Sequence, residues 1–84
     1  MGKYAKLIEQ ILQGRADANI VFDDLCQLLK RLGFAERVRG SHHIFRRPGV
    51  EEKLNLQCEG SKAKAYQVRQ VRTVLNKYNL REEE

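Results

Sequence analysis

The chain has 84 residues, 42% of them hydrophobic, and a formal net charge of +5. A chain this short forms one domain that buries roughly 60–65% of its unfolded surface, and its apolar fraction excludes a disordered polymer. The basic balance points to nucleic acid first and to an anionic membrane surface second. No apolar run approaches the roughly 20 residues of a membrane span, and the N-terminus lacks the basic-then-apolar layout of a signal peptide, so a cytoplasmic location is expected.

Residues 3–14, "KYAKLIEQILQG", place Tyr4, Leu7, Ile8, Ile11 and Leu12 at helical spacing, with Gly14 as a natural stop. "RADAN" reads as a polar connection. In "FDDLCQLLKRLGF", Phe22, Leu25, Cys26, Leu29 and Leu32 share one helical face. Asp23 and Asp24 sit in its first turn and Lys30 and Arg31 in its last, complementing the helix dipole, and Gly33 ends it. "FAERVR" and "HHIFRR" are short and rich in β-formers, and Gly40-Ser41 between them is a two-residue hairpin signal. Pro48-Gly49 suits a type II turn. "VEEKLNLQC" alternates Leu54 and Leu56 with Lys53, Asn55 and Gln57, as a half-buried strand does. "EGSKAK" reads as a loop. From Ala65, the residues Val68, Val71, Val74, Leu75 and Tyr78 return to helical spacing, with Arg69, Arg72 and Lys77 assigned to the outer side.

The predicted order is helix, helix, three strands, helix. The fold class is α+β: an α-β-β-β-α unit like a double-stranded-RNA-binding domain, with an extra N-terminal helix and a three-stranded antiparallel sheet. The expected divisions are a helical extension over 1–20, the domain proper over 21–80 and an acidic tail over 81–84.

The chemistry concentrates in "RVRGSHHIFRRPG", residues 37–49, which holds four arginines, two adjacent histidines and no acid. A metal site is disfavoured. Adjacent strand residues point to opposite faces, there is no third histidine, and Cys26 and Cys58 form no CxxC pair. Both cysteines are expected as free thiols in a reducing compartment. Cys26 falls on an apolar helical face as a small buried hydrophobe, which leaves Cys58 the less inert thiol. Acid–base work on RNA needs less machinery. The 2′-OH is a built-in nucleophile, a histidine titrates near neutral pH, and Arg37, Arg39, Arg46 and Arg47 with Lys62 and Lys64 could supply cations for the phosphorane. The competing reading is a solvated, RNA-tolerant basic face whose histidines do no chemistry. A third is a protein-interaction domain using the first helix. Periodicity leaves open which histidine faces the core, because Ile44 shares the parity of His42 and Phe45 that of His43.

The segment "LLKRLGFAERVRGSHHIFRRPG" resembles the HicA family of bacterial toxins, in which a helix ending in Gly-Phe leads into a strand and then a Gly-Ser-His-His segment. The resemblance covers about residues 23–80. It implies a double-stranded-RNA-binding-like fold and a metal-free mRNA interferase of a type II toxin–antitoxin system, needing no cofactor and masked by a HicB-type antitoxin. It implies that His42 is catalytic, with Arg39, Ser41, His43, Arg46, Arg47, Lys62 and Lys64 as RNA contacts. The chain departs from the family pattern in "LQCEGSKAKAY", where many members carry a Pro, a His and a Lys-Gly, and in its additional first helix. A non-catalytic RNA-binding module of the same fold is the alternative.

Overall fold

The computed structural model describes residues 2–81. The elements are α1 (Lys3–Gln13), a 3-10 turn (Asp17–Asn19), α2 (Phe22–Arg31), β1 (Ala35–Arg39), β2 (His42–Arg47), β3 (Val50–Leu56), β4 (Cys58–Glu59), β5 (Lys62–Ala63) and α3 (Ala65–Lys77). Strands β1, β2 and β3 form an antiparallel meander in that order. One face of it supplies Phe45, Leu54 and Leu56 to a core shared with all three α-helices, and the other stays open. The fold is the expected α+β, α-β-β-β-α arrangement. Glu82, Glu83 and Glu84 of the predicted acidic tail lie outside the described residues.

Chain reversals set the positions of these layers. Helix α2 ends in a Schellman motif: Gly33 sits at φ 95°, its N–H donates to the Lys30 carbonyl, and the Phe34 N–H donates to that of Leu29, both at 3.0 Å. The Leu-Gly-Phe sequence is thus a helix stop that swings Phe34 into the core and launches β1. Helix α3 stops in the same way, with Asn79 at φ 52° and the Leu80 N–H on the Leu75 carbonyl at 2.9 Å. Gly40 at φ 57° with Ser41 not left-handed fits the type II′ hairpin that matches strand twist.

Helix α1 is built into the domain. Leu7, Ile8 and Ile11 are buried in the common core, and Arg72 ties the end of α1 to α3. Its guanidinium donates to both carboxylate oxygens of Asp17 at 2.9 and 3.0 Å and to the Ile11 carbonyl at 3.0 Å. A side chain at Gly14 would bring its Cβ within 3.1 Å of that guanidinium. Arg72 is therefore half-buried, not on the outer side where helical spacing placed it; a bidentate acid and an exposed helix C-terminus outweigh its preference for water.

The segment 58–63 forms a small hairpin rather than a loop, pairing Cys58 with Ala63 and Glu59 with Lys62. Its backbone meets the start of α2: Phe22 N–H donates to the Ser61 carbonyl and Ala63 N–H to the Ile20 carbonyl, both at 2.9 Å. An otherwise unsatisfied helix N-terminal donor is satisfied there, and Ala63 is buried in the core.

Candidate active site

Strand alternation separates the two histidines. Phe45 is fully buried, and His43, two residues before it, faces the same helical layer. The His43 Nδ1–H donates to Glu36 Oε2 at 2.8 Å, while Lys30 Nζ lies 2.8 Å from Glu36 Oε1. Its ring meets Phe22 edge to face, with centroids 4.9 Å apart. Lys30 first, and His43 second, hold the Glu36 carboxyl below its ordinary value. Cys26 completes the group: its sulfur, the Glu36 carboxylate and the His43 ring lie within 4.8 Å of one another. Chain spacing gave no sign of that grouping, which the fold assembles from α2, β1 and β2. Both Glu36 oxygens are already engaged, and burial pushes the Cys26 thiol up to about 12, so a neutral thiol packs against an ion-paired network.

His42 looks out from the open face. Its Nδ1 lies 3.0 Å from Asn55 Oδ1. An amide oxygen only accepts, so Nδ1 carries the proton and the neutral ring keeps its lone pair on Nε2. Arg39 is directly cross-strand from His42, and Arg37 is cross-strand from Ile44, one row on. A directly opposed pair such as Arg39–His42 starts about 5 Å apart at Cβ and a diagonal one such as Arg37–His42 about 7–8 Å apart, which puts both arginines on the same face of the sheet as the imidazole. Ser41 accepts a hydrogen bond from Gln57 Nε2 at 2.9 Å, linking the hairpin turn to the end of β3.

Helix α3 reaches this face through Gln67, which is 1% exposed. Its Oε1 accepts from the Gln57 N–H at 3.0 Å and its Nε2 donates to the Asn55 carbonyl at 3.4 Å. One amide side chain thus satisfies the free edge of β3 as a neighbouring strand would. The result is a shallow cleft of about 320 Å³ between β3 and α3, lined by His42, Lys53, Asn55, Gln57, Tyr66, Gln67 and Gln70.

Of the residues singled out in the sequence, Arg39 and Ser41 stand next to His42, and Arg46 lies farther along the same face. His43 points the other way. Arg47 shares the parity of Phe45 and lies over Gly33, in a separate open cleft of about 800 Å³ with Arg31 and Arg81. That cleft is lined by no histidine, carboxylate or thiol. Lys62 sits in β5 and Lys64 immediately precedes α3, both half-buried and outside the lining of the His42 cleft. The sequence reading missed Asn55, Lys53, Tyr66 and Gln70. Asn55 and Lys53 were visible as the polar side of β3, but their placement beside His42 required the strand register.

The family model for the HicA toxin of bacterial toxin-antitoxin matches residues 22–77. The chain belongs to the HicA toxin family. A search of curated proteins and a search of solved structures each return no match. The HicA match starts at the first residue of α2 and ends at the last residue of α3, so α1 lies outside it while sharing its core. Membership makes this HicA chain a toxin of the toxin–antitoxin type, a class defined by an antitoxin partner. Among the described residues no helix is long and apolar enough to cross a membrane.

Proposed function

We propose that this HicA protein is an endoribonuclease that cuts mRNA in the cytoplasm through His42 and is held inactive by a HicB-type antitoxin covering the His42 face. The observation that carries the proposal is the Asn55–His42 hydrogen bond, which leaves Nε2 as a free base in a cleft on the basic side of the sheet. In this scheme Nε2 takes the proton of the ribose 2′-OH as the 2′-oxygen bonds to phosphorus. The bond from phosphorus to the 5′-oxygen then breaks, and that oxygen takes a proton from the imidazolium. The products are a 2′,3′-cyclic phosphate and a 5′-hydroxyl. Arg39 and Arg37 balance the charge on the phosphorane. Ser41 meets the RNA beside His42, Arg46 meets it farther along the open face, and Arg47, Lys62 and Lys64, which lie outside the His42 cleft, are assigned to RNA that runs past its edges. His43 contributes by holding β1 and β2 against α2. Residues 1–20 act as a buttress of the 21–80 unit, since α1 supplies part of its core.

The test is cleavage of a long mRNA in EDTA by the purified chain and by His42→Ala, with 3′-end analysis. EDTA-insensitive cutting that leaves cyclic phosphate ends and disappears in His42→Ala supports the proposal. Steeply salt-dependent RNA binding without cutting by either protein would replace it with the non-catalytic RNA-binding module.

A further inference from the structure

Tyr66 stands apart from the other aromatic residues of this chain. It is 47% exposed, and every phenylalanine is buried. It rises from the first turn of α3 into the same 320 Å³ cleft that holds His42. Its hydroxyl accepts from Gln67 Nε2 at 3.4 Å, the amide that also caps the edge of β3, so the tip of the ring is tethered while about half of the residue stays exposed. Gln70, one helical turn on, is exposed on the same wall. Lys53 lines the opposite side from β3.

These residue types match the chemistry of a nucleobase. An aromatic face offers stacking to any base, a primary amide offers a donor and an acceptor to its edge, and a lysine can meet the phosphate that joins it to the next nucleotide. A volume near 300 Å³ is at the small end of ligand clefts, which suits a single base rather than a duplex. We infer that the Tyr66–Gln70 wall is a subsite for one unpaired nucleobase adjoining the scissile phosphate, stacked on Tyr66 and contacted at its edge by Gln70. The inference rests on the endoribonuclease reading of His42. It makes the substrate single-stranded at that point and gives the cut a local base preference.

The test uses the full chain with His42→Ala to prevent turnover. A short single-stranded RNA is compared with a set in which each position in turn is made abasic. In the His42→Ala protein, one abasic position is expected to weaken binding by about 10-fold, the effect of losing one stacked base. Adding Tyr66→Ala should weaken binding of the intact RNA by a similar factor and make it indifferent to the abasic position, while Tyr66→Phe, which keeps the ring and loses the hydroxyl, should bind as the parent does. With His42 present, Tyr66→Ala should broaden the set of cut sites and Gln70→Ala should shift the base preferred beside them. Unchanged affinity and unchanged cut sites in a folded Tyr66→Ala protein that still cleaves RNA would overturn the subsite alone. Absence of RNA binding by the parent chain would overturn both the subsite and the reading on which it rests.

Discussion

The two faces of β2 put neighbouring identical residues into opposite situations. His43 is fixed between Glu36 and Phe22 and closes a network with Lys30 and Cys26. His42, one residue earlier, has one nitrogen held by Asn55 and the other turned toward solvent among arginines. The first arrangement ties one ring nitrogen to an ion-paired carboxylate and packs the ring on Phe22, and so contributes to folding; the second stands on the open face beside a cleft, and so is available to a substrate. Identical side chains acquire different roles because the strand has a period of two and only one of its faces is covered by helices.

The comparison can be broken most forcefully at the next pair along the strand. Phe45→Ala removes a fully buried ring and should cost about 3–5 kcal/mol, enough to threaten the fold of so small a domain. Ile44→Ala on the open face should cost about 1 kcal/mol. Equal losses in denaturant titration would mean that both faces are covered.

Glu36 sharpens the contrast through pH. Its folded value is depressed from an ordinary value of 4.5, so its contribution to stability is present above that value and is lost as pH falls below it toward the folded one. On acidification below that value the parent should lose the stability this group contributes. In Glu36→Gln that part of the pH dependence should be absent, and unfolding measured above and below that value would show it.

A smaller effect, confined to chemistry, is expected at Asn55. Asn55→Ala leaves the imidazole unoriented and should lower kcat for RNA cleavage about 10-fold, by analogy with the low end of what is lost when the partners that orient metal-bound histidines are removed, with little change in KM or melting temperature. A loss confined to KM would instead make Asn55 a substrate contact. The smallest effect concerns the thiols. Cys58 is exposed, whereas burial pushes Cys26 up to about 12; iodoacetamide at mildly alkaline pH should therefore modify Cys58 alone in the folded chain and leave cleavage intact.

Much of this architecture was legible in the sequence, for local reasons. The Leu-Gly-Phe stop after α2, the Gly-Ser and Pro-Gly reversals and the alternation of β3 are each determined within a few residues. The face of β2 was not legible, because each parity carries one histidine and one large apolar residue. It was decided by groups distant in sequence: Phe22 and Glu36 on one side, Asn55 on the other. Arg72 was assigned to the outer side, and the buried Gln67 was given no role, for the same reason. Their partners, the backbone edge of β3 and Asp17 in the 3-10 turn after α1, come into range only when the chain is folded. Arg47 and His43 were grouped with His42 because they are close in sequence, and the pleat separates them.

The most direct measurement of the central claim pairs His42→Ala with His43→Ala and records cleavage rate and unfolding free energy for each. The account predicts a crossed pattern. His42→Ala should lose at least about 100-fold in cleavage, the typical contribution of a general acid or base, with stability within about 0.5 kcal/mol of the parent. His43→Ala should lose about 1–3 kcal/mol of stability, from a broken hydrogen bond to a charged partner and a lost ring contact, while its folded fraction still cuts RNA. A folded His43→Ala protein without activity, or a His42→Ala protein with the parent's activity, would contradict it.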